Sequence, residues 1–428
     1  MQKTKVQLED LSTVKKKLVV TVPAETVNKE MNSGFQSLKS TVQVPGFRKG
    51  AIPINILKSR FGDHVREEAT KKLIESTYIE VLRDQGLAPV EMPKIDVNTK
   101  KLEEEKEFVY TLTLEVTPEV NVDDYKGMGL KKSSIEVSDK DIEEGLKRLA
   151  EAKSEFKEVN RAAGAGDMVV VDFEAFLDGK PIKHSKTNDY SIVLGEKTLL
   201  PGFDEALTGV SKGDSKDADI TFPENYSEQG LGGKTAVFKI TVKSVKEKTV
   251  PALDDEFARD MECDSLEALR TKVKDELVKV KETHEKESLK TQILDKLIEK
   301  HRFEVPDSLV NRYLGLILNR IIDSMRQGNV NPGDEKLSPE QLREKYREMA
   351  VRSVKEDIIL DAVSAKENVQ VTEAETDTAV RNIAMTRNVT FEALMDRIRK
   401  EGALDVIKDG MKHEKVFDII IESSISAS

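Results

Sequence analysis

A chain of 428 residues, 34% charged and 38% hydrophobic with few aromatics and no Trp, is too long for one compact core and predicts about three modular domains with aliphatic interiors. A net charge of -11 argues against general coating of nucleic acid; no segment approaches the ~18 apolar residues of a membrane helix, and the opening MQKTKVQLED holds no apolar signal run, so a cytoplasmic protein without a membrane partner is expected. The single cysteine, Cys263, excludes an internal disulfide and a multi-cysteine zinc site.

Residues 1–115 read as an α+β unit opened by a strand at 18–22 and closed by the alternating strand 108–114. Val27, Met31, Phe35 and Leu38 fall near helical spacing, as do Val65, Ala69, Leu73, Tyr78 and Leu82, with Gly86 as a stop. Between these helices lies Gly46-Phe47-Arg48-Lys49-Gly50-Ala51-Ile52-Pro53, a loop whose glycines permit tight turns and whose proline stiffens the exit. Residues 31–62 contain no Asp or Glu, whereas Lys39, Arg48, Lys49, Lys58 and Arg60 are basic, opposite in sign to the whole chain. Such a loop suits docking on a specific acidic or phosphate-rich surface, and on these residues alone a plain solvated turn remains an equal alternative.

Residues 116–157 read as a connector packed partly with the C-terminal domain: an extended run, then a charged helix candidate at 138–156. Short β-like segments at 168–173, 190–194, 218–222 and 236–245, separated by glycine turns, predict a small antiparallel sheet with one short helix near 201–207, within a domain at 158–247. Residues 248–428 read as helical, with capping signals at Ser338-Pro339-Glu340-Gln341 and Thr372-Glu373-Ala374-Glu375. A helix over 264–300 would exceed ~50 Å and predicts an elongated arm. After Pro306, the stripe Val310, Leu314, Ile317, Ile321 and Met325 is broadened by Leu316, Leu318 and Ile322, so that helix is either buried centrally or binds something apolar. The charged runs 101–107 and 279–290 read as exposed faces. Glu228 stands where a phosphate-binding loop ending in Gly233-Lys234-Thr235 needs glycine, and His64, His184, His284, His301 and His413 form no ligand spacing, so neither metal nor cofactor is expected.

The pattern formed by Gly46, Phe47, Arg48, Lys49, Gly50 and Pro53 resembles the ribosome-docking signature of the bacterial trigger factors. The order Gly166-Asp167, Asp172-Phe173, Leu194-Gly195, Leu200-Pro201-Gly202-Phe203 and Val237-Phe238 resembles the FKBP-type peptidyl-prolyl isomerase domain in the version those proteins carry. The resemblance implies a prolyl pocket of Phe173, Ile182, Tyr190, Leu199, Leu200, Phe203, Tyr226 and Phe238, with Lys183 where that family often has an acidic residue. It implies a multidomain α+β fold: an N-terminal ribosome-binding domain, a connector, a β-rich FKBP-like domain and an all-α C-terminal domain with arms. It further implies an ATP-independent chaperone that meets nascent and unfolded polypeptides at the exit region of the large ribosomal subunit, binds no free nucleic acid, and can form a weak homodimer. Two other readings stay open: a free-standing prolyl isomerase with a helical dimerisation region, and a holdase whose isomerase-like domain is inert.

Overall fold

The computed structural model describes residues 3–425 apart from 49, 100, 184, 197–199, 201, 224–225 and 227–230. It divides into two compact units, Met1–Lys132 with Glu287–Ser428, and Ser133–Lys286.

In the first unit, strands β1 (Lys5–Asp10), β2 (Lys15–Val22), β3 (Lys94–Val97) and β4 (Phe108–Glu115) form an antiparallel sheet in the order β1-β2-β4-β3. Alternation turns Leu18, Val20 and Val22 of β2 and Phe108, Tyr110 and Leu112 of β4 inward, against Val27, Met31 and Phe35 of helix α1 (Ala24–Thr41) and Val65, Ala69 and Leu73 of helix α2 (Ile54–Asp84). The buried Tyr110 hydroxyl bonds Thr77 Oγ1 at 2.7 Å, and burial pushes its phenol pKa up. Strand β1 was not read from the sequence: Val6 and Leu8 do alternate with polar residues in KVQLED, but the run is short and largely exposed, and its register with β2 makes it a strand. The run 101–107 is more than an exposed face, because Leu102 is buried, Glu104 pairs with Lys58 at 2.5 Å, and the Glu105 N–H donates to Asn28 Oδ1 at 2.9 Å.

In the second unit, helix α3 (Asp139–Ala152) starts at a reciprocal Ser138–Asp141 capping box. The helix expected to reach residue 156 stops at Ala152, and Glu155–Val159 instead forms β5. Pairing with a neighbouring strand outweighs local helical spacing there. Strands β6 (Met168–Leu177), β7 (Lys180–Pro181), β8 (Thr187–Val193), β9 (Ser215–Thr221) and β10 (Thr235–Thr249) complete a six-stranded antiparallel sheet, with helix α4 (Phe203–Leu207) between β8 and β9 in sequence. The path β5-β10-β6-β7 forms its spine, β8 pairing with β6 and β9 with β10. A separate cluster joins α3 to helix α5 (Asp255–Asp260) and the start of helix α6 (Leu266–Lys300) through Ile142, Leu146, Phe257, Leu269 and Val273. A Cβ on Gly145 would meet Val273 at 2.9 Å, so glycine lets α3 approach α6 this closely.

The first unit resumes with the rest of α6 and helices α7 (Asp307–Arg326), α8 (Pro339–Lys366), α9 (Glu373–Thr386), α10 (Phe391–Glu401) and α11 (Leu404–Ile425). Both expected capping boxes form, Ser338 with Gln341 and Thr372 with Glu375. Helix α7 buries Leu309, Val310, Leu314 and Leu318 against Leu342, Tyr346, Ala350 and Val354 of α8, while Leu316 and Ile322 stay exposed. Its broad stripe therefore divides into a packed face and an open one. In the run 279–290, also read as an exposed face, Glu285 is buried and accepts the Ser133 N–H at 2.7 Å, and Lys290 bridges Glu287 and Glu414.

One buried carboxylate fastens the six-stranded sheet. Asp167, just before β6, accepts both terminal nitrogens of Arg161 at 2.6 and 3.0 Å and the Gly164 N–H at 2.8 Å. Arg161 also reaches Glu247 on β10 at 2.9 Å. The Arg161 guanidinium, helped by the Gly164 N–H, holds the Asp167 carboxyl below the usual carboxylate range. A depressed folded pKa stabilises above the unfolded value and loses that contribution as pH falls through the folded one. Asp167→Asn should therefore cost the second unit about 2 kcal/mol at neutral pH, with the deficit shrinking below about pH 4. Hydrogen exchange of the β6 and β10 amides in both proteins across that pH range measures it, and a pH-independent deficit would refute the account.

Candidate functional site

Three phenylalanines from separate elements meet above the sheet of the second unit. Phe173 comes from β6, and Phe238 comes from β10, where it pairs with Ala175. Phe203 opens α4, whose preceding Gly202 takes φ 92°, a left-handed conformation that glycine adopts without strain. Ring centroids lie 5.4 Å apart for Phe173–Phe203, 5.9 Å for Phe173–Phe238 and 5.4 Å for Phe203–Phe238, at steep interplanar angles of 67°, 49° and 83°. Such tilted pairs each add about 0.5–1.5 kcal/mol beyond area burial and leave ring edges and faces toward the space they enclose.

That space is a cavity of about 370 Å³, which Ile182, Leu200 and Tyr226 also line. Of the residues expected to build a pocket, Phe173, Ile182, Leu200, Phe203, Tyr226 and Phe238 thus come together. Tyr190 does not line the cavity; it stands edge-on to Phe173 at 5.9 Å and 80°, holding that ring from the side. Leu199 lies outside the described residues. Sequence reasoning missed Phe222 and Leu231, which also line the cavity. Phe222 lies tilted against Tyr226 and Phe238, with ring centroids 4.7 and 6.1 Å away. Its signal was available, since Ala218, Ile220 and Phe222 alternate onto the inner face of β9 and its end.

Among the described residues, the lining offers no activated nucleophile. Its Ser185 hydroxyl is occupied, accepting the Ala175 N–H at 3.2 Å and donating to the Ile182 carbonyl at 2.8 Å. The arrangement can hold a small apolar ring among aromatic and aliphatic side chains, in a cavity that opens to solvent beside the exposed Lys183 and Tyr226.

In the first unit, the loop between α1 and α2 is pinned at its base by the buried side chains of Val44 and Ile52. Two turns close it: Phe47 N–H to the Val44 carbonyl at 3.1 Å, and Ala51 N–H to the Arg48 carbonyl at 2.9 Å. Gly46 and Gly50 take φ of 90° and 84°, and Pro53 ends the loop as the N-cap of α2. Phe47 is 38% exposed, an unusual place for an aromatic on a structured loop, and Arg48 beside it is exposed. Lys49 lies outside the described residues. Sequence reasoning also missed Ile54, exposed at the first position of α2 and able to extend the apolar tip. Of the other basic residues in the acid-free stretch, Arg60 is exposed, but Lys58 is committed to Glu104.

Comparison with known proteins places the chain's segments in known families. Residues 4–149 match the model of the bacterial trigger factor protein, residues 159–243 the FKBP-type peptidyl-prolyl cis-trans isomerase, and residues 265–422 the trigger factor C-terminus. Trigger factor of Syntrophotalea carbinolica is 32% identical over 412 residues, covering 96% of this chain and 94% of that one. Trigger factor of Anoxybacillus flavithermus is 35% identical over 419 residues, covering 95% and 96%. A solved structure described as showing promiscuous substrate recognition by the trigger factor chaperone in folding and assembly shares the fold, with a TM-score of 0.55, 23% identity, and coverage of 98% of this chain and 99% of that one.

The triangle of rings predicts a steep cost for its most buried member. Phe203→Ala should destabilise the second unit by about 3–5 kcal/mol in denaturant unfolding, whereas Phe203→Leu should cost roughly half as much because it leaves a smaller void. Equal losses for the two variants would show that loss of the ring contacts, and not the volume of the void, sets the cost.

Proposed function

The chain belongs to the trigger factor family, and from that premise we propose that it is an ATP-independent cytoplasmic chaperone that docks on the large ribosomal subunit beside the nascent-chain exit. It shields emerging polypeptides there and isomerises their prolyl bonds. The division of labour assigns docking to residues 1–115, isomerisation to 158–247 and client shielding chiefly to 248–428, with 116–157 as connector. The observation that carries the docking assignment is the exposed Phe47 on a loop held from below by buried Val44 and Ile52. A rigid tip presenting an aromatic beside cations loses little conformational freedom on binding, so its contacts count more fully toward affinity. Gly46, Gly50 and Pro53 shape the tip, Phe47 supplies the apolar contact, and Arg48 and Lys49 meet ribosomal phosphate or carboxylate.

In the second unit, the prolyl ring would enter the cavity of Phe173, Ile182, Leu200, Phe203, Tyr226 and Phe238, with Tyr190 supporting Phe173; the family resemblance adds Leu199 to this set. Rotation about the imide bond must break amide resonance, a barrier of ~18–20 kcal/mol. Resonance is a charge-separated form that water stabilises, so an apolar enclosure weakens it. Contacts fitted to the twisted geometry then favour the transition state over both planar isomers. Neither nucleophile nor metal is required. Uncatalysed X-Pro exchange takes tens to hundreds of seconds, slow enough to hold back folding of a new chain.

The open face of α7, where Leu316 and Ile322 are exposed, supports a part for that helix in holding apolar client segments. Aliphatic side chains with many rotamers suit varied partners better than a shaped pocket does.

Replacing Phe47, Arg48 and Lys49 together by Ala should abolish cosedimentation with ribosomes, at least tenfold in affinity, while leaving turnover of a prolyl peptide intact. Raising salt should weaken the wild-type complex in part, through its charged contacts. Full cosedimentation by the triple variant would sink the docking assignment. Docking without peptide turnover would favour the holdase reading, and turnover without docking the free-standing isomerase.

A further inference from the structure

Among the described residues that line the aromatic cavity, Lys183 alone carries a formal charge. Its side chain is exposed, and no ion pair joins it to another described residue, unlike Lys243 on the same sheet, which sits between Asp172 and Asp189 at 3.1 and 2.6 Å. The described residues near it in sequence, Ile182 and Ser185, are tied to β6. The Ile182 N–H donates to the Ala175 carbonyl at 2.9 Å, the Ser185 N–H returns to the Ile182 carbonyl at 3.3 Å, and Ser185 Oγ ties the same turn to the Ala175 N–H. Ile182 and Ser185 are thereby buckled to β6, and Lys183, exposed beside the half-buried Ile182, lines the open side of the cavity.

A proline ring filling the aromatic enclosure leaves the side chains of its flanking residues at this mouth. We propose that Lys183 is a specificity-determining residue, selecting prolyl segments that carry Asp or Glu next to the proline and disfavouring those with Lys or Arg there. This rests on the prolyl-pocket reading above. Such a charge pair at a partly exposed rim is worth about two- to fivefold in affinity, large enough to rank clients and small enough to leave neutral ones accepted. The preference fades with salt, because the ammonium remains in contact with solvent.

The test uses the full-length chain and short peptides with Glu, Leu or Lys placed immediately before or after one proline. Affinity is read by NMR titration and isomerisation by exchange spectroscopy on the same samples. At low salt the Glu peptide in at least one position should bind about two- to fivefold more tightly than its Leu counterpart, with the Lys peptide weakest. Lys183→Glu should reverse that order, with Lys183→Met giving no order by charge and thermal unfolding reporting that both variants fold. Equal affinities for Glu and Lys peptides, or an order unchanged by Lys183→Glu, overturns the role of Lys183 even if turnover is normal. Charge-ordered binding without faster exchange supports Lys183 and instead overturns the catalytic reading, whereas no binding of any prolyl peptide overturns both.

Discussion

Strand β10 is the element on which the second unit depends, because it pairs along its length with β5, β6 and β9. Its 15 residues exceed what a flat alternation could serve, since one face must meet the aromatic core while the far end must meet β5. A register shift between Val242 and Ser244 solves this. Before it, Ala236, Phe238, Ile240 and Val242 point inward; after it the inward position becomes Val245, one residue out of phase. A bulge of this kind bends and further twists the strand. The displaced Lys243 turns outward to Asp172 and Asp189, and Glu247 beyond it reaches Arg161. One inserted residue thus couples the pocket ring Phe238 to the Arg161–Asp167 buckle.

In the first unit the comparable problem falls to residues 117–132, an extended run without strand partners whose backbone groups still need hydrogen bonds. Side chains from the helices supply them. Lys366 donates to the Val122 carbonyl at 3.0 Å, and Lys296 to the Met128 and Gly129 carbonyls at 2.6 and 2.9 Å. Gln292 bonds both the N–H and the carbonyl of Lys131 at 2.9 Å. Val122 and Tyr125 are buried among Ile293, Leu297, Ile359 and Val416, and the Tyr125 hydroxyl donates to Glu367 at 2.5 Å. Burial, reinforced by Glu367, pushes that phenol up to about 12. Just upstream, Glu115 accepts from both the backbone N–H and the hydroxyl of Ser308 at 2.8 and 2.6 Å. This carboxylate serves the start of α7, where the N-cap Pro306 has no side-chain acceptor to offer.

These two solutions explain what could be read from residues alone. The fold class and the long helices with their capping boxes were legible because periodicity and caps are local signals, whereas the aromatics of the pocket were expected only from the family resemblance. Strand β1 and strand β5 were not legible: KVQLED is short and mostly exposed and pairs with β2 across a local hairpin, and EFKEV becomes a strand only through β10, some ninety residues away. The same blindness affected charge. Lys58 looked like one more free cation of the docking surface, and Glu285 like part of a solvated face, until long-range contacts committed the first to Glu104 and the second to the Ser133 N–H. Phe222 escaped for a different reason: alternation put it on the inner face with Ala218 and Ile220, but inwardness alone does not tell a pocket wall from ordinary core.

The two candidate sites place opposite demands on their surroundings. The loop must expose an aromatic that the hydrophobic effect would bury, and it does so by making the burial of Phe47 geometrically unavailable. Val44 and Ile52 occupy the core beneath it, and the turns at Gly46 and Gly50 direct the intervening residues away. The cavity must stay open although its walls would gain by collapsing on one another. Each wall ring is held by something outside the space: Phe173 by Tyr190, Phe203 by the α4 start at Gly202, Phe238 by its pairing in β10. In both cases the apolar surface left for a partner is set by backbone geometry, which is why glycine, proline and a bulge matter as much to this chain as the aromatics they position.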